Sequence, residues 1–197
     1  MKWIVTEIDG KVASIAADYR HFAGIAARIA AHSPDAVERI ATRKITTDEL
    51  VELGKTLRWE DLCLYGSKFQ KSVWKALYDL THGLPACAGN DAAPSFHGLS
   101  VESVTLLSYS DLAARVDNPQ GVRAVAHAVA LNPVAYVIPC HLIVPKESVD
   151  KIHEIRRSAE STLFRGSDLY LLDSISVGEY AYGPAVKLEL IKKQLAK

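Results

Sequence analysis

The first third of the chain alternates strand-like and helical hydrophobic patterns. Two strand-like runs within residues 3–16 flank Asp9-Gly10, a dipeptide typical of two-residue hairpin turns. An alanine-rich helical pattern follows at residues 19–31. Ser33-Pro34 then has the residues preferred at an N-cap and first helical position, which predicts a second helix there.

A third helix is predicted to begin near Thr47. Asp48 and Glu49 follow at once, and acidic residues are favoured in the first turn of a helix. Residues 1–65 are therefore expected to form a small α/β subdomain, separate from a second domain at residues 66–197. We find no chemical motif in the first segment.

The second segment opens with a helix and a loop. Ser67 and Gln70 form a capping-box pattern at the start of the helix. Apolar residues recur behind it at helical spacing, a stripe typical of a core face: Phe69, Val73, Trp74, Leu77 and Leu80. Residues 83–98 are rich in Gly, Pro, Ala and Asn, so a loop is expected there.

Two helices joined by a tight turn come next. A short helix is predicted to open at Ser108-Tyr109, and Asn118-Pro119 provides the N-cap and first residue of the next helix. The buried face of that second helix is predicted from i, i+3, i+4 and i+7 spacing: Val122, Val125, Ala126 and Val129. The pattern fits a helix-turn-helix, although an ordinary helical pair fits it as well.

A short apolar run leads to the most reactive residues of the chain. Residues 134–138 are expected to form a buried strand that Pro139 ends. Cys140-His141 follow at its edge. Neighbouring side chains of an extended segment point apart, so direct contact between thiol and imidazole cannot be assumed.

Composition narrows the function classes. The chain has 23 basic residues (lysine plus arginine) and 23 acidic residues (aspartate plus glutamate), so its formal net charge is zero. This balance argues against a uniformly basic nucleic-acid-binding surface but allows a local basic face. The longest apolar runs are far shorter than the roughly 20 residues that span a bilayer. Three cysteines with no CxxC pair argue against a disulfide framework or a structural zinc site. Each thiol is then either a small buried apolar group or a nucleophile.

The motifs from Ser108 onward resemble those of the O6-alkylguanine-DNA alkyltransferases in order and spacing. The matching pieces are Ser108-Tyr109-x-x-Leu112-Ala113, Asn118-Pro119, Val122-Arg123-Ala124-Val125, Asn132-Pro133-Val134 and Ile138-Pro139-Cys140-His141. Phe69-Gln70-x-x-Val73-Trp74 upstream and Tyr180-x-x-Gly183-x-Ala185-Val186-Lys187 downstream extend the similarity to about residues 66–197.

This resemblance implies a role for each matching residue of the reaction centre. Cys140 would accept the alkyl group as a thiolate, and His141 would remove its proton through a water. Tyr109 would help to rotate and protonate the target base. Asn132 would tie the helix-turn-helix to the active-site strand, and Lys187 would lie near the thiol.

The resemblance also implies a DNA surface and a substrate pocket. Arg123 would fill the gap left by a nucleotide flipped out of the duplex, with Gly121 beside it allowing close approach. The helix would enter the minor groove, where sequence is poorly distinguished. Substrate-pocket residues would be Ile143 and the loop Tyr180-Ala181-Tyr182.

Three positions depart from the family pattern. Leu142 stands where arginine usually follows the Cys-His pair, and Tyr182 stands where the substrate loop usually has glycine. Gln194 takes the place of the glutamate that orients the histidine, so His141 is expected to be a weaker base. The ring of Tyr182 could narrow the pocket or stack on the base.

An extra segment separates Val144 from Glu179 and contains Lys151, Arg156, Arg157 and Arg165. A helix is predicted from Ser148 to about residue 160. The segment is either a solvated surface insertion or an added DNA contact.

The sequence therefore predicts an α+β protein: a small α/β N-terminal subdomain and a mostly helical C-terminal domain with a helix-turn-helix. The predicted activity is direct-reversal repair, in which Cys140 irreversibly takes the alkyl group of O6-alkylguanine, with O4-alkylthymine as a second candidate substrate. The alternatives are a lesion-binding relative that no longer transfers alkyl groups and an interaction module with a merely buried Cys140. We expect a monomer that binds double-stranded DNA in the cytoplasm, associated with the nucleoid, without a cofactor, metal or membrane contact.

Overall fold

A computed structural model describes residues 1–17, 19–82, 106–159 and 172–195. The predicted loop at residues 83–98 lies outside the described residues, as do Cys87 and Arg165. Within the described ranges, none of the helices is both long and apolar enough to cross a membrane.

The N-terminal segment forms a three-stranded antiparallel sheet in the order β2-β1-β3. Its strands are β1 (Lys2–Ile8), β2 (Lys11–Ala16) and β3 (Ile40–Thr46). Asp9 and Gly10 both have positive φ, as a tight hairpin turn requires, so the hairpin prediction is confirmed.

The helices around this sheet follow the sequence prediction with one exception. Helices α1 (Tyr19–His32) and α2 (Thr47–Thr56) are present, and Thr46 and Glu49 form a capping box at the start of α2. The helix predicted at Ser33-Pro34 is instead a short 3-10 helix, Pro34–Arg39. The Ser33 side chain makes no capping hydrogen bond, and the chain must extend again into β3 at Ile40, which leaves too little length for an α-helix.

The described part of residues 66–197 is mostly helical, which confirms the predicted fold class. It contains α3 (Lys68–His82), α4 (Tyr109–Arg115), α5 (Val122–Ala130), α6 (Lys146–Ala159) and α7 (Pro184–Leu195). Helices α4 and α5 pack on each other as the predicted helix-turn-helix, and α3 packs against both. The indole of Trp74 on α3 donates a 2.8 Å hydrogen bond to the carbonyl of Ala128 and so fixes α5 in place.

The main core draws residues from both halves of the chain. Trp3 and Val5 of the sheet lie in the same buried cluster as Trp74 and Leu77 of α3 and Val125 of α5. Residues on both sides of the predicted boundary at 65/66 therefore bury each other, and the boundary itself stays a prediction.

The strand predicted at residues 134–138 is wrong. The segment is buried, but only single bridges link Val134 to Ile15 and Ala135 to Ile138. Tyr136 has φ of +71°, a left-handed conformation that ends strand pairing, and its ring lies where a Cβ of Gly54 would be. The segment therefore turns back on itself, with the Ile138 amide donating to the Val134 carbonyl.

The extra segment begins with the predicted helix, α6, whose observed bounds are Lys146–Ala159. Val149 and Ile152 of this helix are buried. Ser148 Oγ donates to the Ser176 carbonyl at 2.7 Å and Lys151 Nζ to the Ser174 carbonyl at 2.6 Å. These bonds fasten α6 to the residues before α7, while the choice between insertion and DNA contact stays open.

Candidate active site

Cys140 lies at one wall of a cavity of about 220 Å³. The lining combines residues from the helix-turn-helix, the loop before α7, α7 and α1: His21, Tyr109, Val129, Ala130, Asn132, Ala135, Cys140, Glu179, Tyr180, Ala181, Tyr182 and Lys187. The structure brings seven of the twelve predicted site residues into this lining: Tyr109, Asn132, Cys140, Tyr180, Ala181, Tyr182 and Lys187.

A 3-10 turn, Cys140–Leu142, presents the thiol to the cavity. Pro139 precedes the turn, and the backbone of Leu107 brackets it: the Leu107 amide donates to the Leu142 carbonyl, and the Val144 amide donates to the Leu107 carbonyl. The turn is thus held on both sides by residues next to the start of α4. Because the backbone turns here, Cys140 and His141 are not the extended neighbours that the sequence suggested.

Asn132 connects the end of the helix-turn-helix to the thiol. Its Nδ2 donates to the Ile138 carbonyl at 2.8 Å and to Cys140 Sγ at 3.0 Å, while its Oδ1 accepts from the Val134 amide at 3.0 Å. A single side chain therefore sets both the path of the irregular segment and the direction of the thiol. This arrangement agrees with the tying role that the resemblance implies.

Burial and polar contacts act on the thiol in opposite directions. Burial raises the pKa of Cys140, because the thiolate loses hydration. The hydrogen bonds from Asn132 and Tyr180 and the charge of Lys187 lower it, without cancelling the effect of burial. The Tyr180 hydroxyl lies 3.8 Å from Sγ. The thiol form therefore dominates in the empty pocket, and a base is needed to make the nucleophile.

Lys187 is a buried cation beneath the cavity, with 1% of its surface exposed. Its Nζ donates to the carbonyls of Ile143 at 2.6 Å and Glu179 at 3.4 Å. Burial lowers the pKa of Lys187 to about 8, although Cys140 and Glu179 oppose that shift. Ile143, predicted for the substrate pocket, is fully buried and supplies this carbonyl.

Two tyrosine hydroxyls face the thiol region with weakened acidity. Burial, and then the charge of the Cys140 thiolate, raise the pKa of Tyr109 and raise that of Tyr180 well above its usual value. Both phenols therefore stay protonated at neutral pH and can donate hydrogen bonds into the cavity.

His141 is fully buried and stacks on Tyr136, with ring centroids 5.2 Å apart and planes at 4°. Helix α7 packs directly against the Cys140–Leu142 turn. Gln194 lies on the buried face of α7 together with Lys187, Leu190 and Ile191, as the counted register predicted. A hydrogen bond between Gln194 and His141 stays a prediction.

Two of the four residues predicted to bind DNA, Arg123 and Gly121, lie at the start of α5, away from the cavity lining, whereas the other two, Tyr109 and Asn132, belong to that lining. Arg123 is exposed in the first turn. Gly121 is the N-cap residue, so the prediction that Asn118-Pro119 starts this helix is wrong: α5 begins only at Val122, and Asn118 lies in the preceding turn. A Cβ at Gly121 would lie 2.1 Å from Asn118 Nδ2. Gly121 is therefore required by the packing of the turn itself, which is an additional reason for glycine at this position.

Sequence reasoning did not select five residues of the cavity lining: His21, Val129, Ala130, Ala135 and Glu179. His21 belongs to α1, more than a hundred residues before Cys140, and the alanine-rich pattern around it indicated only a helix. Only the packing of α1 against the end of α5 brings it to the cavity, where Arg28 Nη1 donates to the Leu131 carbonyl at 3.0 Å. Local sequence carries no signal for such a contact.

Comparison with known proteins places the Cys140 region in a described family. Residues 99–158 match the family model "6-O-methylguanine DNA methyltransferase, DNA binding domain". A probable methylated-DNA–protein-cysteine methyltransferase of Acanthamoeba polyphaga mimivirus is 36% identical over 88 residues, which cover 45% of each chain. The methylated-DNA–protein-cysteine methyltransferase of Haemophilus influenzae is 34% identical over 82 residues, 42% of this chain and 34% of that protein.

The chain thus spans less than half the length of the curated relatives that it matches. Among solved structures, the Mycobacterium tuberculosis O6-methylguanine methyltransferase aligns with a TM-score of 0.49 and 17% identity, covering 100% of this chain and 94% of that one. The sequence matches confirm the resemblance predicted above: the part of the chain that holds Cys140 is similar to the corresponding region of the methylated-DNA–protein-cysteine methyltransferases.

Proposed function

We propose that this protein repairs O6-alkylguanine in DNA by transferring the alkyl group irreversibly to Cys140. One observation carries the proposal: the Cys140 thiol opens into a cavity of about 220 Å³ and accepts a hydrogen bond from Asn132. A buried thiol without such a cavity would be only a packing group. The family match of residues 99–158 supports the same function.

The chemical step is a displacement at the alkyl carbon. His141 takes the thiol proton through a water, the Sγ–C bond forms as the C–O6 bond breaks, and the electron pair of the broken bond stays with guanine. Tyr109 protonates the departing base, so the proton released by the thiol balances the one that guanine gains. No step regenerates the thiol, so each protein molecule acts once. O4-alkylthymine offers the same kind of leaving oxygen and is the second candidate substrate.

The electrostatics of the cavity suit this step. The positive charge of Lys187 and the amide of Asn132 both favour the thiolate at the moment of attack, against the effect of burial. Excluding water from the thiolate also strengthens these interactions. The protonated phenols of Tyr109 and Tyr180 supply further hydrogen-bond donors to the site.

DNA recognition is assigned to the helix-turn-helix. The lesion lies inside the base stack, so the nucleotide must be flipped out to reach Cys140. We assign Arg123 to the gap that the nucleotide leaves, with α5 in the minor groove. The exposure of Arg123 on the first turn of α5 supports this assignment. We also propose that the active form is a monomer.

Intact-protein mass spectrometry tests the proposal. After incubation with a duplex containing O6-methylguanine, the mass should rise by one methyl group, and peptide mapping should place it on Cys140 rather than Cys63 or Cys87. Cys140→Ser is the matched control and should stay unmodified while still binding the duplex. Binding of lesion DNA without any change in mass would instead identify a non-transferring lesion-binding protein. Failure to bind DNA at all would favour an interaction module.

A further inference from the structure

A second cavity adjoins the one that holds Cys140. It measures about 270 Å³ and extends along α1, past the exposed Arg20 and the partly buried Arg28. The two cavities share four lining residues: His21, Ala130, Asn132 and Tyr182. These four residues separate the cavity that contains the Cys140 thiol from the second cavity, which does not contain it, and we call them the partition. We call the second space the α1 cavity.

Tyr182 is the largest side chain in this partition, and three aromatic rings hold it. Its ring centroid lies 5.4 Å from Trp3, 4.7 Å from His21 and 5.4 Å from Tyr180, with interplanar angles of 85°, 60° and 79°. Edge-to-face pairs at these distances are attractive. Three such contacts together restrict rotation of the Tyr182 ring.

The two N-terminal members of this cluster are themselves fixed. Trp3 is fully buried in β1, and its indole donates to Thr47 Oγ1 at 3.3 Å. His21 belongs to α1, which the hydrogen bond from Arg28 to the Leu131 carbonyl holds against the end of α5. The N-terminal segment therefore builds one side of the partition, although it contributes no residue to the proposed chemistry.

We propose that this partition limits the size of the alkyl group that Cys140 can accept, and that His21 is a specificity-determining residue. A small O6 substituent fits on the Cys140 side of Tyr182. A bulky aromatic substituent would need the adjoining space of the α1 cavity, and the ring of Tyr182, held by His21, closes that route. The inference rests on the proposed transfer reaction.

Single-turnover transfer from duplexes with O6-methylguanine and O6-benzylguanine tests the role of His21. The quantity compared among variants is the ratio of benzyl to methyl transfer rates, because the two groups differ in intrinsic reactivity. His21→Ala and Tyr182→Ala should each raise this ratio about tenfold, the usual scale for a change of pocket size. His21→Phe and Tyr182→Phe keep a ring in place and should restore the ratio of the unsubstituted protein. His32→Ala, on the exposed end of α1, is the control for general effects on the helix.

A second measurement separates failure of this inference from failure of the proposed function. Iodoacetamide and N-benzyl-iodoacetamide share one reactive group, and each forms an Sγ–C bond with loss of iodide and of the thiol proton to solvent. Labelling of Cys140 by the two reagents, read by peptide mass spectrometry, reports cavity size without DNA. Faster benzyl labelling in His21→Ala and Tyr182→Ala, in a protein that transfers no methyl group, would support the partition and reject the repair function. Unchanged or lower benzyl preference in both alanine variants, by labelling or by transfer, overturns the size limit.

Discussion

At the scale of single residues, the reactivity of Cys140 depends on a few polar neighbours in an otherwise apolar site. Burial favours the neutral thiol, while Asn132, Tyr180 and Lys187 favour the thiolate. The resulting pKa of Cys140 decides how strongly the general base must assist removal of the thiol proton. Changing one neighbour at a time should therefore move the pH dependence of the thiol.

Asn132→Asp should raise the pKa of Cys140 further, beyond the effect of burial. The substitution keeps an acceptor for the Val134 amide but replaces the N–H donor at Sγ with an oxygen, and a carboxylate beside a thiolate is repulsive. The measurement is the pH profile of iodoacetamide labelling at Cys140. Asn118→Asp, in the turn of the helix-turn-helix, adds the same charge away from the thiol and serves as the control. A profile for Asn132→Asp that matches the unsubstituted protein would show that the amide has no influence on the thiol.

Lys187 should make the stability of the protein depend on pH in a defined window. Its folded pKa is about 8, below its ordinary value of 10.5, so the folded state disfavours the charged form. Below about pH 8 the ammonium is charged in both states and its burial destabilises the fold. Between about 8 and 10.5 only the unfolded state is protonated, so the free energy of unfolding rises with pH.

The expected gain over that window is about 3 kcal/mol for the Lys187 contribution. Urea unfolding of the unsubstituted protein and of Lys187→Met across this range gives the contribution by difference, since the other titrating groups cancel. A difference that does not grow with pH would contradict the assignment. In transfer assays, the same variant should be slower at neutral pH, because Cys140 loses its nearest positive charge.

At the scale of elements, α7 and α5 carry the two assignments that rest on helix register. Gln194 lies on the buried face of α7, and α7 packs on the turn that contains His141. A carboxylate in place of the amide would stabilise the imidazolium that forms when His141 takes the thiol proton. We therefore predict that Gln194→Glu raises the transfer rate at neutral pH.

Single-turnover kinetics across pH, with one methylated duplex, measure this effect. Glu189→Gln is the matched control, because Glu189 is exposed on the same helix and is the nearest acid in sequence to Gln194 on its N-terminal side. An unchanged rate for Gln194→Glu would mean that another group orients His141. A slower variant that still folds would count against the assignment itself.

Helix α5 provides the fourth prediction, which concerns Arg123. Arg123→Ala should slow transfer from duplex DNA by about tenfold or more, because flipping a base out of the stack costs a few kcal/mol that the arginine offsets. Transfer from free O6-benzylguanine needs no flipping and should fall much less. Arg43→Ala, an exposed arginine on β3, controls for loss of charge. Equal losses on both substrates would leave Arg123 only a general electrostatic role.

The elements also show how far local sequence could predict this fold. The hairpin at Asp9-Gly10, the start of α2 near Thr47 and the capping box of α3 depend on neighbours in sequence, and the structure confirms them. The predicted buried face of α5 is confirmed at Val125 and Val129, whereas Val122 and Ala126 are only half-buried. The path of residues 134–138 depends on the Asn132 amide, on the left-handed Tyr136 and on pairing with distant Ile15. Composition alone predicted a strand here, because none of these three features can be recognised from the composition of residues 134–138.

The residues of the candidate site likewise fall into those that local motifs predict and those that depend on distant contacts. The structure brings four residues that the motifs selected to one cavity, Cys140, Asn132, Tyr109 and Lys187, while their assigned roles stay predictions. His21 could not be found, because it reaches the cavity only through packing between α1 and the end of α5.

At the scale of the whole molecule, one main core spans the N-terminal sheet and the C-terminal helices. The N-terminal segment, which contributes no residue to the proposed transfer reaction, thus stabilises the C-terminal segment that contains Cys140. The chain has no net charge at neutral pH, so any attraction to DNA must come from a local surface such as the start of α5.

The buried, protonated thiol of Cys140 has a consequence for how long the protein stays usable. A protein that reacts once must keep its nucleophile intact until a lesion arrives, and peroxide oxidises thiolates far faster than thiols, ending in sulfinic and sulfonic acids that cannot be reversed here. With 8% of its surface exposed and its pKa raised by burial, Cys140 should resist this damage. During exposure to hydrogen peroxide, followed by peptide mass spectrometry, the partly exposed Cys63 should therefore oxidise before Cys140, and the reverse order would show that the pocket does not protect it. Burial of the thiol would then protect it from oxidation, so that unused protein molecules can still react when they meet a lesion.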